Sequence, residues 1–140
     1  MNPLPENIPD CTIFLLAKAY QKAHARFMLL LQPYGLTSLQ HLVLEALWYR
    51  GGYTASELSK LLILDKATLS GVLERMADAG WIEKQQDPED RRAIRLYPTS
   101  AANRIREELT ALRARANDEL LAPLNLEEQV LLKRFLRDLI

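Results

Sequence analysis

Three charged side chains stand together near the middle of the chain: Asp90, Arg91 and Arg92. Asp90 ends the segment Asp87-Pro88-Glu89-Asp90, whose residue types favour a turn, and the two arginines follow it directly. An arginine at the tip of a turn is suited to the minor groove of DNA, where a narrow A·T tract concentrates negative potential. We expect Arg92 to enter that groove, with Asp90 orienting its guanidinium group through a charge-assisted pair. Arg91 and Lys84 are candidates for phosphates, and the alternative interpretation is a solvated hairpin tip with arbitrary charges.

A second set of polar residues lies on the predicted fourth helix of the chain, which follows Asp65 and ends at Gly80. Lys66, Thr68 and Ser70 occupy its first turns, where hydroxyls can donate to phosphates or meet base edges and the helix dipole favours phosphate. Arg75 lies one to two turns further on and is a candidate clamp on the DNA backbone. A surface ion pair with Asp78 is the alternative for Arg75.

The elements that must position these residues lie between residues 54 and 99. This segment predicts a helix, a tight turn, a second helix and a two-stranded hairpin. Asp65 is expected to cap the second of these helices, and Gly80 is expected to end it in a left-handed conformation. The strands are predicted over Trp81–Gln86 and Ala93–Tyr97. Such a unit places one helix in the major groove and a basic loop in the minor groove.

Leucine-rich helical segments flank this unit on both sides. An extended arm, Met1–Pro9, precedes a long helix that Asp10 or Thr12 can cap. A fifth helix begins at Thr99 or Ser100. The small unit of helices and hairpin between residues 54 and 99 does not need these segments for its own core. A second copy of the chain is the simplest partner for their apolar faces. We therefore predict three regions: residues 1–36 as arm and dimerisation helix, 37–98 as DNA-binding domain, and 99–140 as dimerisation helices.

Composition limits the function classes. The chain has 140 residues with 18 basic and 18 acidic side chains, so DNA binding must come from local placement of a few cations and not from a general basic excess. No apolar run is long enough to span a bilayer, and no signal peptide is apparent. The single cysteine, Cys11, fits a reducing cytoplasm. No cofactor motif and no nucleophile–base constellation is present, so we expect no enzyme.

The motifs of the central segment resemble the MarR family of bacterial transcriptional regulators. The resemblance covers nearly the whole chain and implies a mainly α fold with a small β-hairpin wing, a winged helix-turn-helix flanked by N- and C-terminal helical dimerisation regions. It also implies a homodimer on double-stranded DNA at a pseudo-palindromic operator, with repression relieved by a small aromatic ligand or by oxidation. Gly71 departs from the family, where many members carry a larger, often basic, residue. The matching tracts are Ala55-Ser-Glu-Leu58, Thr68-Leu-Ser70, Leu73-Glu-Arg-Met76, Ala79-Gly80-Trp-Ile82 and Asp87-Pro-Glu-Asp-Arg-Arg92.

Family ligands bind near a cleft between the helical and winged parts, and this implies a set of candidate ligand residues. Core packing is the default for each of them. A zinc site made from the two histidines with Cys11 or Glu45 is the weaker alternative, because no second spaced pair of ligands is present. The candidate ligand residues are His24, His41, Trp48 and Tyr49.

Cys11 admits two interpretations. One branch of the family senses organic hydroperoxides through a cysteine near the start of the first helix, and a helix N-terminus raises thiolate reactivity. Alignment through Thr37 places that cysteine at Ile13, however, and the partner tyrosines fall at Ala17, Phe27 and Ser38. An inert, partly buried thiol is the favoured interpretation.

An alternative from another class is a winged-helix protein-interaction adaptor that does not bind DNA. The neutral charge balance favours it, whereas the wing-tip arginines and the hydroxyls of the fourth helix do not. If the chain is a DNA-binding regulator, the fourth helix of each copy is the recognition helix. We then expect a ligand to change the distance between the two recognition helices of the dimer away from one DNA turn, about 34 Å.

Overall fold

The computed structural model describes residues 5–140. Over this range the chain is mainly helical, with a two-stranded antiparallel hairpin, which confirms the predicted fold class. A 3-10 turn, Gln32–Tyr34, follows the first helix. The elements are α1 (Thr12–Leu31), α2 (Ser38–Tyr49), α3 (Ala55–Leu61), α4 (Lys66–Asp78), β1 (Ile82–Gln86), β2 (Ile94–Pro98), α5 (Ser100–Arg104), α6 (Arg106–Leu121) and α7 (Leu126–Asp138).

Local capping signals fix most of the helix starts. In the box that opens α3, the Thr54 N–H donates to Glu57 Oε2 at 2.8 Å, and the Glu57 N–H donates to Thr54 Oγ1 at 3.2 Å. Equivalent boxes open α2 at Thr37 and α7 at Asn125. Gly80 ends α4 with φ +79°, as predicted.

Three local predictions were wrong. Residues 5–11 form two turns, with the Ile8 N–H on the Pro5 carbonyl and the Cys11 N–H on the Ile8 carbonyl, so this part of the arm is not extended. The rest of the predicted arm, residues 1–4, lies outside the described residues. The Cys11 carbonyl accepts the first bond of α1, so Cys11 takes the cap position predicted for Asp10 or Thr12. The fifth helix is interrupted at Ile105, whose N–H bonds three residues back to Ala102.

The wing, residues 82–98, pairs Ile82 with Pro98 and Gln86 with Ile94. Tyr53 adds a short bridge to Leu96, whose N–H donates to the Tyr53 carbonyl at 2.9 Å. The loop between α2 and α3 is therefore part of the base of the wing.

The chain forms two compact units. The central unit, Met28–Ala111, holds α2 to α5 and the wing around a core of fully buried apolar side chains. The terminal unit comprises the described residues before Met28 together with Leu112–Ile140, and Leu121 is the only apolar side chain buried among them. The assignment of the terminal segments to dimerisation stays a prediction. The largest fully buried apolar side chains of the central unit are Leu31, Leu44, Leu47, Leu58, Leu69, Met76 and Leu109.

Candidate nucleic-acid interface

Helix α4 buries one face and exposes the other. Leu69, Val72, Leu73 and Met76 recur at spacings of three and four and pack into the core of the central unit. The predicted contact residues of this helix lie outside the buried face, and all four are exposed: Lys66, Thr68, Ser70 and Arg75.

The start of α4 is organised by one carboxylate. Asp65 Oδ1 accepts from the Thr68 N–H at 2.8 Å, which confirms the predicted cap. Asp65 Oδ2 accepts the Thr68 hydroxyl. These bonds, the hydroxyl bond first and the backbone bond second, hold the pKa of Asp65 below its ordinary value. Because its proton is committed to Asp65, the Thr68 hydroxyl offers DNA an acceptor and not the predicted donor.

The guanidinium group of Arg75 lies beside Gly71, which precedes Arg75 by one turn of α4. A Cβ on Gly71 would lie 3.4 Å from Arg75 Nη1 and 3.9 Å from Nη2. Within residues 5–140 Arg75 forms no ion pair, so the alternative pairing with Asp78 is not present. The guanidinium group occupies space that any side chain at position 71 would share.

Backbone bonds hold the turn of the wing. The Asp87 N–H donates to the Ala93 carbonyl at 2.9 Å, and the Ala93 N–H donates to the Asp90 carbonyl at 2.9 Å. Asp90 Oδ1 accepts from the Arg92 backbone N–H at 3.0 Å. The expected Asp90 pair with the Arg92 guanidinium is absent from the ion pairs of the described chain, so Asp90 shapes the backbone beneath Arg92 instead. Arg91 and Arg92 are both exposed at this tip.

Lys84 forms an ion pair that the sequence did not predict. Its Nζ forms an ion pair with Glu74, so the ammonium group joins β1 to α4. Glu74 lies on another element, so this partner could not be read from the sequence, and the phosphate contact of Lys84 stays a prediction.

Arg95 makes contacts between elements that the sequence prediction missed. From β2 its Nε donates to Asp87 Oδ2 at 2.8 Å, and its Nη1 donates to the Gly52 carbonyl at 2.9 Å. Nη1 also lies 3.4 Å from Glu57 Oε2. Arg95 and Leu96 are neighbours on a strand and therefore point to opposite faces, but nothing in the sequence indicates what the Arg95 face contacts.

Of the four candidate ligand residues, three lie in the central unit and one lies in the terminal unit. His41 and Trp48 are buried in the central unit, with ring centroids 6.4 Å apart in an edge-on arrangement. His41 Nε2 lies 3.2 Å from Glu45 Oε1. Tyr49 is 86% exposed, so it does not belong with them. His24 lies in the terminal unit and stacks on Tyr20 at 5.3 Å.

Cys11 is exposed, so the prediction of a partly buried thiol was wrong. The described residues contain no group of three potential metal ligands. Nor does any helix among them have the length and apolar character needed to cross a membrane.

Comparison with known proteins identifies the relatives of this arrangement. A model of the MarR family matches residues 36–94. The transcriptional repressor NicR of Pseudomonas putida is 29% identical over 97% of this chain and 86% of its own length. The structure of Bordetella bronchiseptica BpsR, described in terms of regulation of its DNA binding by 6-hydroxynicotinic acid, is 28% identical. It covers 99% of this chain and 97% of its own, with a TM-score of 0.88.

A cysteine variant of MarR from E. coli, complexed with operator DNA, has the same architecture. It is 26% identical, covers 100% of this chain and 99% of its own, and has a TM-score of 0.86. These relatives are transcriptional regulators, which are not enzymes. The family model over the winged unit and the near-complete relatives agree with the exposed face of α4 and the arginine-tipped wing: the chain belongs to the MarR family of DNA-binding transcriptional regulators.

Proposed function

We propose that two copies of this chain bind a pseudo-palindromic operator, each with α4 in the major groove and its wing in the adjacent minor groove. Bound in this way, the dimer acts as a cytoplasmic repressor that a small aromatic acid releases. The proposed interface residues on α4 are Lys66, Thr68, Ser70 and Arg75. On the wing they are Arg91 and Arg92, with Asp90 and Lys84 supporting them.

The observation that carries this proposal is the state of the wing-tip arginines. Arg91 and Arg92 are exposed, form no ion pair within residues 5–140, and stand on a turn held by backbone bonds. Unpaired guanidinium groups on a fixed turn are suited to a groove of high negative potential. An arginine whose backbone is already ordered also loses less conformational entropy when it binds.

The distribution of ion pairs supports DNA binding by a chain with no net charge. Glu74 pairs with Lys84, and Asp87 and Glu57 lie against Arg95, so these three acids neutralise cations at the base of the wing. The cations at its tip are left for an external partner. DNA affinity therefore rests on a few placed side chains, and it should fall as salt rises because bound cations release counterions from DNA.

The terminal unit supports a second copy of the chain. Large apolar side chains are exposed along its helices, while Leu121 is its only described apolar residue that is buried. An apolar surface on this scale marks an interaction site in a folded protein. A symmetric dimer covers the same face on both copies and doubles the DNA-binding elements. The most exposed of these side chains are Ile13, Tyr20, Leu126, Val130, Leu139 and Ile140.

The proposed ligand is a small aromatic acid. The regulation of BpsR by 6-hydroxynicotinic acid supports this class. In the central unit, the Trp48 indole N–H is buried and has no acceptor among the described residues. A buried donor without a partner is costly, and a carboxylate or ring oxygen of a ligand would satisfy it. We place the ligand beside Trp48 and His41.

The test of the interface is Arg92→Ala on a duplex selected by the unaltered protein. We expect a loss of about 1–3 kcal/mol of binding free energy, because one groove contact disappears from each copy. Arg104→Ala is the matched control, since Arg104 is an exposed arginine at the end of α5, outside the proposed interface. Equal affinity of the Arg92→Ala variant and the unaltered protein in fluorescence anisotropy would refute the wing assignment.

The test of the ligand is a thermal-shift series with 6-hydroxynicotinic acid and other aromatic acids. Binding to the native state raises the melting temperature by mass action. Trp48→Phe removes the N–H and keeps an aromatic ring, so we expect it to reduce the shift. A shift of the same size in the Trp48→Phe variant would place the ligand elsewhere.

A further inference from the structure

Arg95 lies at the centre of a network that joins three parts of the central unit. Its guanidinium contacts the turn of the wing at Asp87, the loop between α2 and α3 at the Gly52 carbonyl, and the start of α3 at Glu57. About one third of its side chain is exposed, compared with 13% for Asp87. The contacts span 43 residues of sequence between Gly52 and Arg95.

Asp87 connects Arg95 to the turn at the tip of the wing. Its Oδ2 accepts from Arg95, while its Oδ1 accepts from the Glu89 N–H at 2.9 Å. These two bonds, the Glu89 bond first, hold the pKa of Asp87 below its ordinary value, so the carboxylate is ionised at neutral pH. The same turn continues into the Asp90 bond to the Arg92 N–H.

The contacts of Arg95 also argue against direct phosphate binding. Nε and Nη1 are both already donating to protein acceptors, and two carboxylates lie beside the group. Binding a phosphate there would mean breaking at least one of these bonds. The exposed arginines of the tip carry no such cost.

We propose that Arg95 is a positioning residue for DNA recognition: it fixes the wing against the α2–α3 loop so that Arg92 is presented to the minor groove. This inference rests on the proposed function, because it assigns a role in the DNA contact of the wing. A charge-assisted network of this kind stabilises one orientation of a hairpin that has only two principal strands.

A double-mutant cycle tests the proposal. In the otherwise unaltered protein, we expect Arg95→Met to weaken binding to the selected duplex about tenfold, and to do so less than about twofold in an Arg92→Ala background, because residues that act through one contact are not additive. Equal losses in both backgrounds would overturn the proposal in favour of a direct or a purely structural role. A weaker dependence of DNA affinity on salt in the double variant than in Arg92→Ala alone would overturn it too, because Arg95 would then contact phosphate directly.

Amide hydrogen exchange supplies a readout that does not depend on DNA. In Arg95→Met we expect faster exchange at Glu89 and Ala93 of the wing, with the α4 amides unchanged. Uniformly faster exchange throughout the central unit would contradict local positioning. If Arg95→Met does not fold, Asp87→Ala removes the same contact from the other side and is expected to show the same non-additivity with Arg92→Ala. Failure of the unaltered protein to bind any duplex would refute the proposed function, whereas normal binding with an additive cycle refutes only the role of Arg95.

Discussion

Asp90 Oδ1 accepts a hydrogen bond from the backbone N–H of Arg92 at 3.0 Å. The carboxylate therefore acts on the backbone of the arginine and leaves its guanidinium group unpaired within the described chain. In the sequence Asp90-Arg91-Arg92, the acid two residues before Arg92 therefore closes a local turn. The backbone of Arg92 is thereby fixed while its guanidinium group stays free of ion pairs within the described residues.

The first prediction separates these two roles of Asp90. Asp90→Asn keeps an oxygen acceptor for the Arg92 N–H, so we expect DNA affinity within about twofold of the unaltered protein. Asp90→Ala removes the acceptor, and we expect a loss of about 1 kcal/mol, which is typical of one hydrogen bond. Anisotropy titrations with one duplex compare the two variants. Equal losses in both would mean that the charge of Asp90, and not its bond to the backbone, is what binding requires.

The second prediction concerns Gly71. Gly71→Ala should raise the free energy of unfolding by about 1 kcal/mol, because glycine is unfavourable inside a helix. The added Cβ would lie 3.4 Å from Arg75 Nη1, an ordinary contact with a flexible group. Urea denaturation measures the change, and Ala67→Gly on the same helix is the reverse control. A destabilised Gly71→Ala protein would show that the guanidinium group cannot adjust.

The third prediction concerns the turn between α3 and α4. Ile63 has φ +54° and is 72% exposed, so a β-branched residue occupies a left-handed position with little burial in return. Ile63→Gly should stabilise the protein by about 1 kcal/mol, since glycine adopts this conformation without a Cβ clash. Ile63→Val keeps the branching and should give no gain. A lower midpoint of urea unfolding in Ile63→Gly would mean that the side chain contributes more than its exposure indicates.

The fourth prediction is a pH dependence at the start of α4. The pKa of Asp65 is lowered by the Thr68 hydroxyl first and then by the Thr68 N–H, so the folded state holds its proton less tightly than the unfolded state. The stabilisation is complete above the unfolded pKa and is lost as pH falls through the folded pKa. Asp65→Asn still caps the helix but does not titrate.

The unaltered protein should therefore be more stable than Asp65→Asn at neutral pH, and its advantage should shrink as the pH falls through the lowered pKa of Asp65. Urea unfolding at a series of pH values measures both proteins. A difference that does not vary over this range would show that the Asp65 carboxylate is not selectively stabilised by the fold.

The fifth prediction concerns the exposed thiol of Cys11. Exposure alone does not make a sensor, and Ala17, Phe27 and Ser38 stand where the peroxide-sensing branch has tyrosines. We expect Cys11→Ser to leave DNA binding and its response to organic hydroperoxide unchanged, measured by band shift before and after peroxide treatment. Release of the unaltered protein by peroxide, absent from Cys11→Ser, would assign the sensing role to this residue.

The features that sequence predicted well are local. The cap at Asp65 and the left-handed stop at Gly80 each depend on residues within four positions of one another. These signals need no knowledge of how distant segments pack.

The features that sequence did not predict depend on contacts between elements. The ion pair between Lys84 and Glu74 was not predicted because the two residues lie on different elements and meet only once β1 packs on α4. Arg95 was not recognised because its acceptors lie on the α2–α3 loop and on the far side of the hairpin turn. The burial of His41 and the exposure of Tyr49 follow from the orientation of α2, although both residues carry similar sequence signals.

Selection of duplex DNA from a random pool, followed by the mass of the complex, tests the central claim most directly. At about 50 mM salt, where phosphate contacts are strong, the purified chain should enrich an inverted repeat. Its half-sites should be centred about 10 base pairs apart, with two chains bound per duplex. Enrichment of no sequence, or a single half-site bound by one chain, would contradict a dimer that reads DNA with paired helices and arginine-tipped wings.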